Sequence, residues 1–281
     1  MRVSVGTDPS QTLADYGPTL ELHEAENGLM LGRLSAATNG TVAAALMPGG
    51  ELGLLGFLSG SPPQGGTLVL SHGSLEAAGP LALQLFARGV ELQGVNGPTE
   101  LSTAFAEQWM LLKRIALQIT ADMTLYRLDA PPVLGQLPPG ELDEARPQEV
   151  DLLAEWIRDF SLEAIPSEAP SLAMARVRAR QGIDTGTLFV WRQAGEVTSM
   201  AGWTRPTRRG ITINLVYTPP ALRRQGLASA VAAGISQRAL ENGKEFCTLF
   251  ADVSNPTSNS IYRKMGYRPI LAYRTYAIAS S

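Results

Sequence analysis

Apolar residues recur at helical spacing over "PQEVDLLAEWIRDFSLEA", where Val150, Leu153, Ala154, Ile157 and Phe160 share one stripe and Pro147 suits a first turn. This spacing predicts one helix here and a second over Ser171 to Gln181. The period then shortens to two. "TLFVWRQAGEVTSMAGWT" reads as two strands about "QAGE", and "RGITINLVY", Arg209 to Tyr217, as a third, together a small antiparallel meander. The helical stripe returns at Leu227, Val231, Ile235 and Ala239, opened by Gly226 and ended by Gly243. "EFCTLFADV" reads as a buried strand, "NPTSNSIYRKM" predicts a short helix, and "YRPILAYRTYAIA" one or two closing strands. The second half is therefore expected to be α/β, with a strand, helix, strand crossover at its centre.

A looser copy of that outline runs through the first half. "TLVLS", Thr67 to Ser71, predicts a strand, "SLEAAGPLALQLFARG" a helix, "VELQGV" a strand, and "NGPTELSTAFAEQW" a turn leading into a helix. Between the halves lies "DAPPVLGQLPPGELDEARP", Asp129 to Pro147, whose two diproline pairs forbid a continuous helix. The expected organisation is a first domain over 1–130, a linker over 131–139 and a second domain over 140–281, a diverged duplication.

Composition narrows the classes. With 44% hydrophobic residues in 281, the chain can bury a core, and a formal charge of -3 argues against a protein built to hold a polyanion. The arginines are dispersed without interleaved aromatics, so no nucleic-acid partner is expected. No apolar run approaches the ~18 residues of a membrane span, which with a single cysteine points to a soluble, cytoplasmic protein without membrane contact. Cys247, inside "FCTLF", reads as a core thiol, and His23 and His72 lack metal-ligand spacing, so no metal site is expected.

Chemistry concentrates after the third strand of the meander, in "VYTPPALRRQGLAS". Strand, tight loop, glycine and helix form a physical recipe for holding phosphate: the first helical turn has unpaired N–H groups and a partial positive charge, and glycine lets a ligand approach the backbone. Arg223 and Arg224 add charge there, and Pro219 and Pro220, without N–H donors, end the strand ladder. Neither Gly-x4-Gly-Lys-Ser/Thr nor Gly-x-Gly-x-x-Gly is present, so the loop is neither of those nucleotide sites. Further on, Asn255, Asn259 and Tyr262 fall within a narrow arc of a helix, at about 0°, 40° and -20°. Asn255 before Pro256 also suits a helix cap.

Arg223-x-x-Gly226-x-Ala228 resembles the Q/R-x-x-G-x-G/A signature of the GNAT superfamily of acyl-CoA-dependent N-acyltransferases, and "NPTSNSIYRKMGY" resembles its second cofactor motif. The specific motifs cover about the last 70 residues. The two-part outline is similar to a bacterial subgroup in which a degenerate GNAT-like half precedes an intact one. The resemblance implies tandem α/β (α+β) domains, each a mixed, mostly antiparallel sheet flanked by helices, the first without coenzyme A. It implies that acetyl-CoA is held by Val216, Tyr217, Thr218, Arg223, Arg224, Gln225, Gly226, Leu227, Ala228, Ser229, Asn255, Asn259 and Tyr262. It further implies direct attack of a small-molecule or peptide amine on the thioester, with Tyr262 protonating the departing thiolate. "ITINLVY" carries no carboxylate, so Asp252, Glu163 or a water-mediated base is left to take the amine proton. The alternative is a non-catalytic acyl-CoA sensor. A monomer or homodimer fits either.

Overall fold

The computed structural model describes residues 1–59, 66–133, 135–164 and 169–279. Two compact units emerge: Met1–Leu125 with Pro269–Ser281, and Tyr126–Arg268. These limits differ from the expected 1–130, 131–139 and 140–281, because the proline-rich segment lies inside the second unit and the last strand belongs to the first. The physical reason is pairing: β12 (Arg268–Ile278) runs antiparallel to β5 (Gly94–Pro98), from Tyr273 opposite Pro98 to Ala277 opposite Gly94.

In the first unit β1 (Arg2–Gly6) is followed by α1 (Pro9–Leu20), α2 (Gly28–Ala36), β2 (Gly40–Leu46), β3 (Leu52–Ser59) and β4 (Thr67–Leu70). Then come α3 (Ala78–Ala87), β5, α4 (Thr99–Lys113) and β6 (Leu117–Leu128), with strand order β1-β2-β3-β4-β5-β12-β6. The sheet is mixed, antiparallel except at β4 and β5 among the first five strands. Alternate residues of β2 face opposite cores: Val42 and Ala44 pack with Leu20, Met30 and Leu34, while Ala43 and Ala45 pack with Leu81, Leu85 and Phe105. The expected Asn-Gly-Pro-Thr turn is instead part of β5, where Asn96 and Gly97 pair with Thr275 and Arg274. Pro80 does not break α3 because it falls in the first turn.

The loop after β4 holds the place that "RRQGLA" has in the second half, and here its donors are already used. Ser71 N–H donates to the Leu55 carbonyl at 2.9 Å, Ser74 N–H to the Gly53 carbonyl at 2.7 Å and His72 N–H to Asn27 Oδ1 at 2.8 Å. A Cβ on Gly73 would overlap the Gly53 carbonyl oxygen. The His23 and His72 rings lie tilted at 37° with centroids 4.7 Å apart, and burial followed by the neighbouring His23 charge lowers the His72 pKa, with Glu26 opposing. A histidine whose native pKa lies below its unfolded value binds fewer protons than the unfolded chain as pH falls through about 6.5, so stability must fall with it. His72→Gln is expected to flatten the pH dependence of unfolding free energy between about pH 7 and 5. Denaturant melts at stepped pH check this, and an unchanged slope would remove His72 as its source.

The second unit contains β7 (Glu141–Glu144), α5 (Val150–Ala164), α6 (Leu172–Asp184), β8 (Leu188–Gln193) and β9 (Glu196–Thr204). After them come β10 (Gly210–Tyr217), α7 (Leu227–Glu241), β11 (Phe246–Asp252) and α8 (Pro256–Lys264), with strand order β11-β10-β9-β8-β7. Again the sheet is antiparallel except for one parallel pair, β10 with β11. Leu188, Val190 and Met200 face α5 and α6, whereas Phe189, Ala201, Ile211 and Cys247 face α7 and α8. Cys247 is fully buried and its thiol is pushed up to about 12 by desolvation, which makes it inert.

Candidate functional site

β10 loses its neighbours where the loop begins. Its parallel pairing with β11 covers only Gly210, Ile211 and Thr212, opposite Phe246, Cys247 and Thr248. On the other edge, pairing with β9 jumps from Asn214 opposite Gly202 to Tyr217 opposite Met200, a bulge that sets Leu215 and Val216 against the single residue Ala201. Leu215 has φ 52, a left-handed conformation that turns the strand. A bulge on one side and an ended ladder on the other leave the last half of β10 splayed from β11, with an edge of backbone groups open to a ligand.

Tyr217 and Thr218 fix the end of this strand. Ser199 Oγ donates to the Tyr217 carbonyl at 2.8 Å and lies 2.9 Å from Thr218 Oγ1, all three residues being buried. A short turn over Pro220–Leu222 follows, closed by Leu222 N–H to the Pro219 carbonyl and Arg223 N–H to the Pro220 carbonyl. Arg224 at φ 66 and Gly226 at φ 80 are both left-handed, and Gly226 caps α7 without a side-chain bond. The first backbone bond of the helix is Ala230 N–H to the Gly226 carbonyl. Hence the N–H groups of Arg224, Gln225, Gly226, Leu227, Ala228 and Ser229 have no acceptor among the described residues. Successive donors without acceptors, at and just before the positive end of a 15-residue helix, suit an anion. Leu227 anchors it in the core, whereas Arg223, Arg224, Gln225 and Gly226 are exposed.

The two arginines part company. Arg223 Nη2 donates to both Glu163 oxygens, at 2.6 and 2.9 Å, and Nε to the Thr218 carbonyl at 2.9 Å. Its guanidinium also lies 5.7 Å from the Tyr217 ring. Glu163, at the end of α5, is thus held by this cation rather than left as an open carboxylate. Burial, followed by Glu163 and Asp159, raises the Tyr217 pKa. Arg224 makes no ion pair among the described residues and remains the exposed cation of the loop.

α8 turns much of its polar arc toward the core. Its buried residues are Asn259 and Tyr262, so this face points inward. Asn259 Nδ2 donates to the Asp252 and Asn255 carbonyls, both at 2.7 Å, and its Oδ1 accepts from Tyr126 at 2.7 Å, which leaves the amide committed to holding the β11–α8 turn. Asn255 Oδ1 caps the helix on Ser258 N–H at 3.0 Å, and Asp252 Oδ1 accepts from Ser254 N–H at 2.7 Å. Tyr262, 8% exposed, sits between Tyr126 and Tyr267 at 6.4 and 5.9 Å, and burial pushes its phenol up to about 12. No described residue bonds to its hydroxyl. Sequence reasoning missed Ser199 and the Leu215 bulge. Neither carries a local signal, since a bulge is defined by its partner strand.

Residues 190–276 match the model of the FR47-like protein family, which is related to GNAT proteins. No match was found among curated proteins. A GNAT-family acetyltransferase from Colwellia psychrerythraea is similar at TM-score 0.61 and 11% identity, over 99% of this chain and 100% of that one. A Drosophila protein is similar at TM-score 0.66 and 14% identity, over 99% of each chain. A GCN5-related N-acetyltransferase from Sphaerobacter thermophilus is similar at TM-score 0.58 and 14% identity, over 84% of this chain and 79% of that one. The chain has the GNAT fold, and its residues 190–276 are FR47-like.

Proposed function

We propose that this protein is an acetyl-CoA-dependent N-acetyltransferase acting on a primary amine. The carrying observation is the run of six acceptor-free N–H groups from Arg224 to Ser229 beside the open edge of β10. Such a run suits a pyrophosphate: it offers directed donors and a helix dipole, and it lies next to backbone that a pantetheine arm can pair with. Bound there, acetyl-CoA would supply the thioester whose acyl group passes to the amine.

The chain's own residues then divide the work. N–H groups along the last part of β10 orient the arm and polarise the thioester carbonyl. Tyr262, kept protonated by its burial, donates its proton to the departing sulfur. The amine nitrogen forms the new C–N bond as the C–S bond breaks, and its surplus proton leaves. Glu163, paired with Arg223, and Asp252, whose Oδ1 accepts from Ser254 N–H, stay with water the candidates to take that proton. Isothermal titration of the protein with acetyl-CoA is expected to give saturable one-site binding. A folded protein that takes up no heat and shows no shift of unfolding temperature at millimolar acetyl-CoA would refute the reading.

A further inference from the structure

Between β6 and β7, Val133 and Pro139 are each tied by hydrogen bonds, and Pro138 lies against the Gly226 loop. Val133 N–H donates to the Met265 carbonyl at 2.9 Å, at the end of α8. The Pro139 carbonyl accepts from Trp191 Nε1 at 3.2 Å and from Gln193 Nε2 at 2.8 Å, both on β8. Between these anchors, Pro138 approaches the loop: a Cβ built on Gly226 would lie 3.6 Å from Pro138 Cδ. The ring therefore stands over the face of Gly226 that a side chain would occupy. Leu137, next to it in the chain, is 38% exposed and Val133 is 67% exposed, apolar side chains left in water. Arg263 and Lys264, in the last turn of α8, lie just before the Met265 anchor and make no ion pair among the described residues.

We infer that this strap is the nucleoside-side wall of the donor site, with Pro138 and Leu137 bearing on the adenosine end of coenzyme A. The inference rests on the transferase reading. A phosphate pair seated on the N–H run has a pantetheine arm on its β10 side and must send its nucleoside out on another. Pro138 bounds that exit with a rigid apolar ring, and apolar side chains next to a purine face lose water on contact. The two cations beyond Val133 suit a further phosphate on the ribose. The site would thereby select complete coenzyme A over donors ending at phosphopantetheine, such as those carried on a protein.

The test uses the full chain and two probes, coenzyme A and 4′-phosphopantetheine, the second followed by competition against the first. Pro138→Ala and Leu137→Ser, alone and together, are expected to weaken coenzyme A about 5- to 10-fold in combination while leaving 4′-phosphopantetheine and the unfolding temperature unchanged. Unchanged coenzyme A affinity, or an equal loss for both probes, would overturn the inference, the second outcome making the strap a mere support of the loop. No binding of coenzyme A by the wild type would instead overturn the transferase reading and carry this inference down with it.

Discussion

Gly226→Glu is expected to abolish saturable acetyl-CoA binding, weakening it at least about 100-fold. Two costs add. At φ 80 the residue is left-handed, where any Cβ costs roughly 1–2 kcal/mol. The new side chain also places a carboxylate where the helix presents its unpaired donors, so it repels the phosphates and satisfies the N–H groups itself. Gly226→Ala separates the two, because its Cβ would make only an ordinary contact with Pro138 at 3.6 Å. It should lower stability by about 1 kcal/mol and affinity far less than the glutamate does. Titration calorimetry beside thermal unfolding reads both quantities. Full binding by the glutamate variant would place the anion elsewhere. Arg223→Ala is a useful companion: since Arg223 is turned to Glu163 through a half-exposed pair, its loss should change stability by less than about 1 kcal/mol.

Tyr262→Phe is expected to lower kcat about 100-fold with little change in KM for acetyl-CoA, once an amine acceptor is in hand. The ring itself fills the space between Tyr126 and Tyr267, so phenylalanine keeps the packing. Because no described residue bonds to the hydroxyl, removing it should not unfold α8. The phenol, raised from 10.0 to about 12 by burial, keeps its proton through the alkaline range, so the wild-type rate should show no fall near pH 10 from loss of this acid. A variant that turns over at the wild-type rate would remove Tyr262 from proton transfer and leave water as the acid.

Local chemistry explains which parts were readable from sequence. The amphipathic stripe at Leu227, Val231, Ile235 and Ala239 and the flanking glycines give α7, because helix periodicity and left-handed caps are written within a few residues. β2 and β3, "GTVAAAL" and "LGLLGFLS", went unassigned, since strands covered by helices on both faces carry no polar alternation to mark them. The strand at Asn96 was misread as a turn because its partner, Thr275, lies at the far end of the sequence. The same limit governs the site. Gly226 announces itself, but the inward turn of Asn259 depends on Tyr126, and the engagement of Glu163 depends on Arg223. One-dimensional spacing placed Asn255, Asn259 and Tyr262 on one helical face; it could not say whether that face meets a cleft or a core.

The return of β12 to the first unit sets a schedule for synthesis. Asn96 must wait for Thr275, and Tyr276, whose hydroxyl lies 3.0 Å from Thr103 Oγ1, is translated after the whole of Tyr126–Arg268. A nascent chain leaving the ribosome therefore carries an unfinished N-terminal sheet, with one edge of β5 unpaired, through the entire production of the second unit. The half made first is completed last, so a chain halted in translation before β12 emerges would strand the earlier unit and spare the later one.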